Sequence, residues 1–227
     1  MTSLQPVARD ARPTLIAPDV WSVARRQRYH GVEVGTRMTV LRLKTGILLH
    51  SPIDGAFEAV EALGPVRWAL APNLLHHLYL APWADRGVAI WGGPGLDTKR
   101  PDICFEGIIE SESEPFGPEV LAIPLKSLQM TREVVLLHRP SQTLIVTDLF
   151  FNFGRESPWF TRLMMRLLGA FPGPGVTLLE KVRFERQIAR REIVRLLELD
   201  FDRVLLTHGS IVESGGRQAV QDAFRWL

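Results

Sequence analysis

The chain has almost no cysteine, little net charge and no long apolar run. Cys104 is the only cysteine among 227 residues, so an intrachain disulfide and a multi-cysteine metal cluster are both excluded. A single thiol fits a reducing compartment. A net charge of +2 gives no field strong enough to argue for nucleic acid. No stretch approaches the roughly 18–20 apolar residues that span a bilayer. Residues 1–12 carry Arg9, Asp10 and Arg12 around no apolar centre, so they do not read as a signal peptide. The expectation is a soluble, cytoplasmic protein that binds neither nucleic acid nor membrane. Internal repeats and low-complexity tracts are also missing.

What is present is an ordinary globular composition. A hydrophobic share of 46% supports a sizeable core. No linker divides the chain, so residues 1–227 are read as one domain with an irregular arm over about 1–20. Apolar strands are expected at 32–34, 38–43, 47–50, 66–71, 88–91, 121–125, 133–138, 143–148 and 203–208. Ser51-Pro52 reads as a cap and first turn for a helix running to about Leu63, which Gly64 stops. Further helices are expected at 159–168, 184–199 and 217–227. Residues 93–118, rich in glycine, proline and acids, read as a long loop. Strands alternating with helices, then returning late, suit helices layered outside two sheets.

Candidate functional residues gather at strand ends. Pro72 closes the run Val66–Ala71, because proline cannot donate to a ladder. Asn73 then reads as a helix cap, with His76 and His77 in the first turn that follows. His50, Asp148 and His208 end three other apolar strands. Sites in α/β folds form beyond such carboxyl ends, where loops can converge. A carboxylate at the end of a buried strand needs a partner, and a cation is one. Gly209 lets the backbone pass closely behind His208. For Asp148 and His208 taken singly, a structural and a ligand role both stay open. Together these residues offer enough nitrogen and oxygen donors for zinc or iron. His138 sits at the opposite end of its hairpin, roughly 15–20 Å from Asp148, and is set aside. His30, between Tyr29 and Gly31, reads as surface.

From Ala71 to His77 the chain resembles the Thr-His-X-His-X-Asp-His motif of metallo-β-lactamase-like hydrolases. Thr147-Asp148 is similar to that family's Gly-Asp strand end, and Thr207-His208-Gly209 to its C-terminal histidine before glycine. Leu49-His50-Ser51-Pro52 adds a likeness to a bacterial and plant branch with a degenerate metal motif. The resemblance covers about 32–227 and implies an αβ/βα four-layer sandwich. It also implies a reduced site. Pro72 and Leu74 stand where the family has its first two histidines, and His76 where it has an aspartate. The first metal position is therefore dismantled, while a second remains as His76, His77 and His208 with Asp148.

Two functional readings follow. In the first, one Zn²⁺ or iron ion is held by His76, His77, Asp148 and His208. His76 and Asp148 are the catalytic candidates, and His50 and Asn73 support the ligands from behind. The protein then hydrolyses a small molecule that nothing in the sequence names, and its oligomeric state is equally unread. In the second, the chain keeps the fold, holds no metal and serves as a silent binding or scaffold protein. Residues 92–95 and 152–175 are expected to wall the site. The helix at 159–168 presents Phe160, Leu163, Met164, Leu167 and Leu168 as a stripe. It is expected to border the Asp148 pocket and to leave lipid alone.

Overall fold

A computed structural model describes residues 12–227. In chain order these form β1 (Thr14–Ala17), β2 (Val20–Arg25), the small hairpin β3 (Arg28–Tyr29) and β4 (Val32–Glu33), β5 (Thr36–Leu43), β6 (Gly46–His50) and α1 (Phe57–Glu61). Next come β7 (Val66–Ala71), α2 (Ala81–Ala84), β8 (Ala89–Gly92), α3 (Leu96–Lys99) and β9 (Phe105–Ile108). The second half supplies β10 (Val120–Pro124), β11 (Val134–His138), β12 (Thr143–Val146), α4 (Trp159–Leu167), α5 (Leu178–Lys181), α6 (Arg186–Leu197), β13 (Arg203–Leu206) and α7 (Gly216–Ala223).

One sheet runs β1-β2-β5-β6-β7-β8-β9 and the other β10-β11-β12-β13. Both are covered on both faces, which explains strands that read as continuous apolar runs. The period of two still sorts the side chains. Ile47, Leu49, Ala69 and Ala71 pack outward against Val60, Trp83 and Leu96 of α1, α2 and α3. Leu48 and Leu70 point inward and meet Val120, Ala122, Leu136, Ile145 and Leu205 of the other sheet. Leu144, Val146, Val204 and Leu206 face Ala189, Ile193 and Leu196 of α6 and Val220 of α7. The result is helices, sheet, sheet, helices: the four αβ/βα layers implied by the resemblance.

Strand direction then gathers one edge. β6 and β7 run parallel, as do β12 and β13, so four carboxyl ends emerge together. β5 is antiparallel to β6, and β11 to β12. Their first residues therefore arrive at the same edge. The sheets are tied together there: Val134 N–H donates to Pro72 O at 2.8 Å, and Leu74 N–H to Thr131 O at 2.9 Å.

Four expectations are corrected. The irregular arm fails from Thr14 onward, because Thr14–Ala17 pairs antiparallel with β2; residues 1–11 lie outside the described chain. The helix after Ser51 begins only at Phe57, since Ser51 sits at φ +54°, outside the geometry of a helix start. No helix follows Asn73: residues 73–79 form a series of bends before α2. The segment 93–118 is not a bare loop, because it contains α3 and adds β9 in parallel to β8. Among the described residues no helix is long and apolar enough to cross a membrane.

Candidate metal centre

The loop after β7 is built on one side chain. Asn73 Oδ1 accepts the N–H groups of Leu75 at 2.8 Å and His76 at 3.0 Å. Asparagine thus does the capping expected of it, but for a tight turn rather than a helix. The turn carries His76 over the ends of β12 and β13. His76, Asp148 and His208 come together, with one potential ligand atom from each lying within 4.8 Å of the others. His76 Nε2 and His208 Nε2 are 3.2 Å apart. Each also lies 3.4 Å from an Asp148 carboxylate oxygen. Ligand bonds of 2.0–2.1 Å around a tetrahedral zinc set its donors about 3.3 Å apart. The spacing and the two-imidazole, one-carboxylate chemistry both fit a small divalent ion.

Each candidate ligand is oriented from behind. His208 Nδ1 lies 2.7 Å from the carbonyl of Gly35, just before β5. A carbonyl only accepts, so Nδ1 carries the proton and Nε2 offers its lone pair to the cluster. Ser51 Oγ is 2.9 Å from His76 Nδ1. Asn73 Nδ2 donates to Asp148 Oδ2 at 2.8 Å, so one amide holds both the turn and the carboxylate. Below Asp148, the buried Glu133 carboxylate accepts Thr147 N–H at 2.6 Å and Asp148 N–H at 2.7 Å. Arg37, in β5, donates to the carbonyls of Leu206 and Gly209 and steadies the loop that bears His208. Gly209 adopts φ +81°, and a Cβ there would come 2.4 Å from Asn152 O, so only glycine fits this close pass.

Electrostatics follow from burial. Desolvation pushes Asp148 up, but the two imidazoles overcome it and hold the group below the usual carboxylate range. Glu133 is raised, first by burial and then by the charge of Asp148. Burial also lifts Glu180 to about 7 against the donors of Thr177, and it feels both Asp148 and His208.

Of the residues expected from sequence, His76, Asp148 and His208 assemble, and Asn73 supports them. His77 does not join them. Its Nδ1 faces Arg100 Nη1 at 3.1 Å, and Arg100 also donates to the His77 carbonyl at 2.8 Å. Successive side chains on a bent loop point apart, so the pair divides: one imidazole inward, one to the Arg100 side. Burial, then Lys99 and Arg100, lower His77 to about 4. His138 bonds Ser141 Oγ at 2.7 Å at the far end of its hairpin, and His30 is exposed in the β3–β4 turn. Phe151, just before the segment expected to wall the site, stands against the His208 ring with centroids 6.0 Å apart. Ser51, Glu133, Gly35 and Arg37 were not foreseen.

His50 is fully buried, and neither of its ring nitrogens has a partner. Burial, with His76 nearby, lowers it to about 3. An unfolded histidine titrates near 6.5, so between these values the unfolded chain binds one more proton than the native one. Stability should therefore be full above pH 6.5 and decline as pH falls toward 3. This one group accounts for about 2 kcal/mol at pH 5. Urea unfolding at pH 7 and pH 5 of the parent and of His50→Leu checks it. An equal pH dependence in both proteins would refute it.

Neither a family model nor a curated protein sequence matches the chain. Solved structures do. A metallo-β-lactamase from Pontibacter korlensis superposes with a TM-score of 0.66 at 13% identity, covering 93% of this chain and 99% of that one. The mono-zinc form of the metallo-β-lactamase FIM-1 from Pseudomonas aeruginosa gives 0.63 at 12% identity, covering 95% and 98%. The Flv1 flavodiiron core from Synechocystis gives 0.68 at 12% identity, covering 96% of this chain and 60% of that one. The chain has the metallo-β-lactamase fold.

Proposed function

We propose that the protein is a metal-dependent hydrolase with a single-metal site held by His76, Asp148 and His208. The observation that carries this reading is the cluster of their donor atoms: the two Nε2 atoms lie 3.2 Å apart, His76 Nε2 is 3.4 Å from Asp148 Oδ2, and His208 Nε2 is 3.4 Å from Asp148 Oδ1. Two imidazole nitrogens and a carboxylate this close need a shared cation or a shared proton between them. Zinc or iron both accept such a donor set. A bound divalent ion there supplies a hydroxide-like nucleophile from water near neutral pH.

The chain's own residues supply the rest. Asn73 and Glu133 hold the Asp148 carboxylate and its backbone, and Ser51 and Gly35 set the two imidazole planes. Exposed Leu75 and Leu78, on the loop that carries His76, offer apolar contact to a small-molecule substrate. The flavodiiron and mono-zinc neighbours are consistent with either metal.

Elemental analysis of protein purified without chelator tests the reading. About one zinc or iron per chain is expected, with thermal stabilisation on adding the metal back to stripped protein. Less than about a tenth of an ion per chain, with no shift from Zn²⁺, Mn²⁺ or Fe²⁺, would favour a silent scaffold. That second reading has its own support in Pro72 and Leu74, whose side chains cannot ligate.

A further inference from the structure

The apolar stripe of α4 does not cover the core. Thr161 and Met165 are its buried side chains. Thr161 Oγ1 donates to Glu33 O at 2.8 Å, and Met165 packs with Phe153 and Ala170. Trp159, Phe160, Leu163 and Leu167 stand outward with 69, 40, 45 and 65% of their surface exposed. At about 100° per residue these four fall within one 100° arc, on the side away from Met165. Arg162 and Arg166 lie beside that arc, about 60° and 20° from Trp159.

The apolar surface continues onto α5. Leu178 N–H donates to Leu168 O at 2.8 Å, and its side chain lies over Gly169. Leu178 and Val182, one turn apart, are 54 and 79% exposed. Lys181 and Arg183 follow on this second segment, and Arg155 precedes the first. Among the described residues none of Arg155, Arg162, Arg166, Lys181 and Arg183 is in an ion pair. The carboxylates between them are engaged, Glu156 by Ser210 and Glu180 by Thr177.

We propose that this outward face of α4 and α5 docks on an anionic lipid surface. Bulky apolar side chains flanked by cations are what an interfacial helix presents, and Trp159 and Phe160 suit the headgroup boundary. Because α4 is already fixed by Thr161 and Met165, no folding has to accompany contact. The charge pattern disfavours a second copy of the chain, since a two-fold contact would set the same arginines against each other. The expectation that this helix leaves lipid alone rested on its short connection to the Asp148 strand end; the outward turn of Trp159, Phe160, Leu163 and Leu167 argues for the opposite.

Flotation of the full chain with vesicles tests this, comparing phosphatidylcholine with a phosphatidylcholine–phosphatidylglycerol mixture. At about 0.05 M salt, the bound fraction should be at least tenfold higher on the anionic vesicles, and it should fall steeply by about 0.3 M. Leu163→Ser/Leu167→Ser and Arg162→Glu/Arg166→Glu should each cost about tenfold or more, without lowering the melting temperature. Trp159→Ala, at the most exposed aromatic, should weaken binding in the same direction. A parent that stays below the anionic vesicles overturns the proposal. So does a serine pair that converts a dimer to a monomer in sedimentation equilibrium without lipid. Retention on polyglutamate that the serine pair leaves unchanged would assign the arginines to an acidic polypeptide and overturn it too.

Discussion

If the proposed metal site is right, His77→Ala should keep the metal, whereas His76→Ala, Asp148→Ala and His208→Ala should lose it. The sequence alone put both adjacent histidines on the metal. The loop geometry separates them. Asn73 pins the His76 N–H, which aims that ring at Asp148, and Arg100 engages both His77 Nδ1 and the His77 carbonyl. Removing an inner ligand leaves two donors, and affinity should fall by at least about a hundredfold, beyond the 10–100-fold typical of outer partners. Removing His77 costs a contact to Arg100 and no donor to the site. Metal content after dialysis against a weak chelator reads this directly. Loss of metal in His77→Ala with retention in His76→Ala would reverse the assignment. Ser51→Ala tests the same geometry more gently. It frees His76 Nδ1, and about a tenfold loss of affinity is expected.

The fold was legible because its chemistry is repetitive. Apolar runs such as Leu48–Leu49 and Leu144–Val146 are buried on both faces, so they announce strands without help from distant contacts. The candidate ligands His76, Asp148 and His208 were legible for a related reason: each ends or follows a parallel strand, where a polar residue breaks an apolar run. What was hidden sits at strand beginnings. Glu133 and the Gly35–Arg37 segment come to the site only because β11 and β5 run antiparallel to the strands that carry the ligands. Strand direction is a property of the assembled sheet and leaves no local mark. The helix expected after Asn73 failed because the Asn73 side chain also bonds Asp148, and that tertiary contact bends the loop away from a helical path. The stripe of α4 was legible, but its direction was not. An apolar arc shows that a helix has a greasy face, not that the face is turned inward.

Glu133→Ala should be among the most damaging single changes in the molecule, although Glu133 touches no ligand atom of the proposed site. Its carboxylate is fully buried, and it takes the place of a neighbouring strand for two successive N–H groups, those of Thr147 and Asp148. Alanine leaves both donors without a partner where water cannot reach. Leaving a buried donor without a partner costs about 1–3 kcal/mol, so the pair costs roughly 2–6 kcal/mol. Loss of the buried carboxyl returns part of that, because Glu133 bears its own desolvation cost beside Asp148. A net loss of about 3 kcal/mol remains, or a fall of roughly 6–12 °C in melting temperature for a chain of this size. Glu133→Gln separates the two contributions. Its single amide oxygen can accept one N–H, but its NH₂ opposes the other, so about half the loss is expected. The backbone of Asp148 would loosen in both variants, and metal affinity should drop about 10–100-fold even under conditions where the protein stays folded. Thermal unfolding and metal titration on the two variants check both claims. A Glu133→Ala protein with unchanged melting temperature and unchanged affinity would show that Asp148 is held by Asn73 alone.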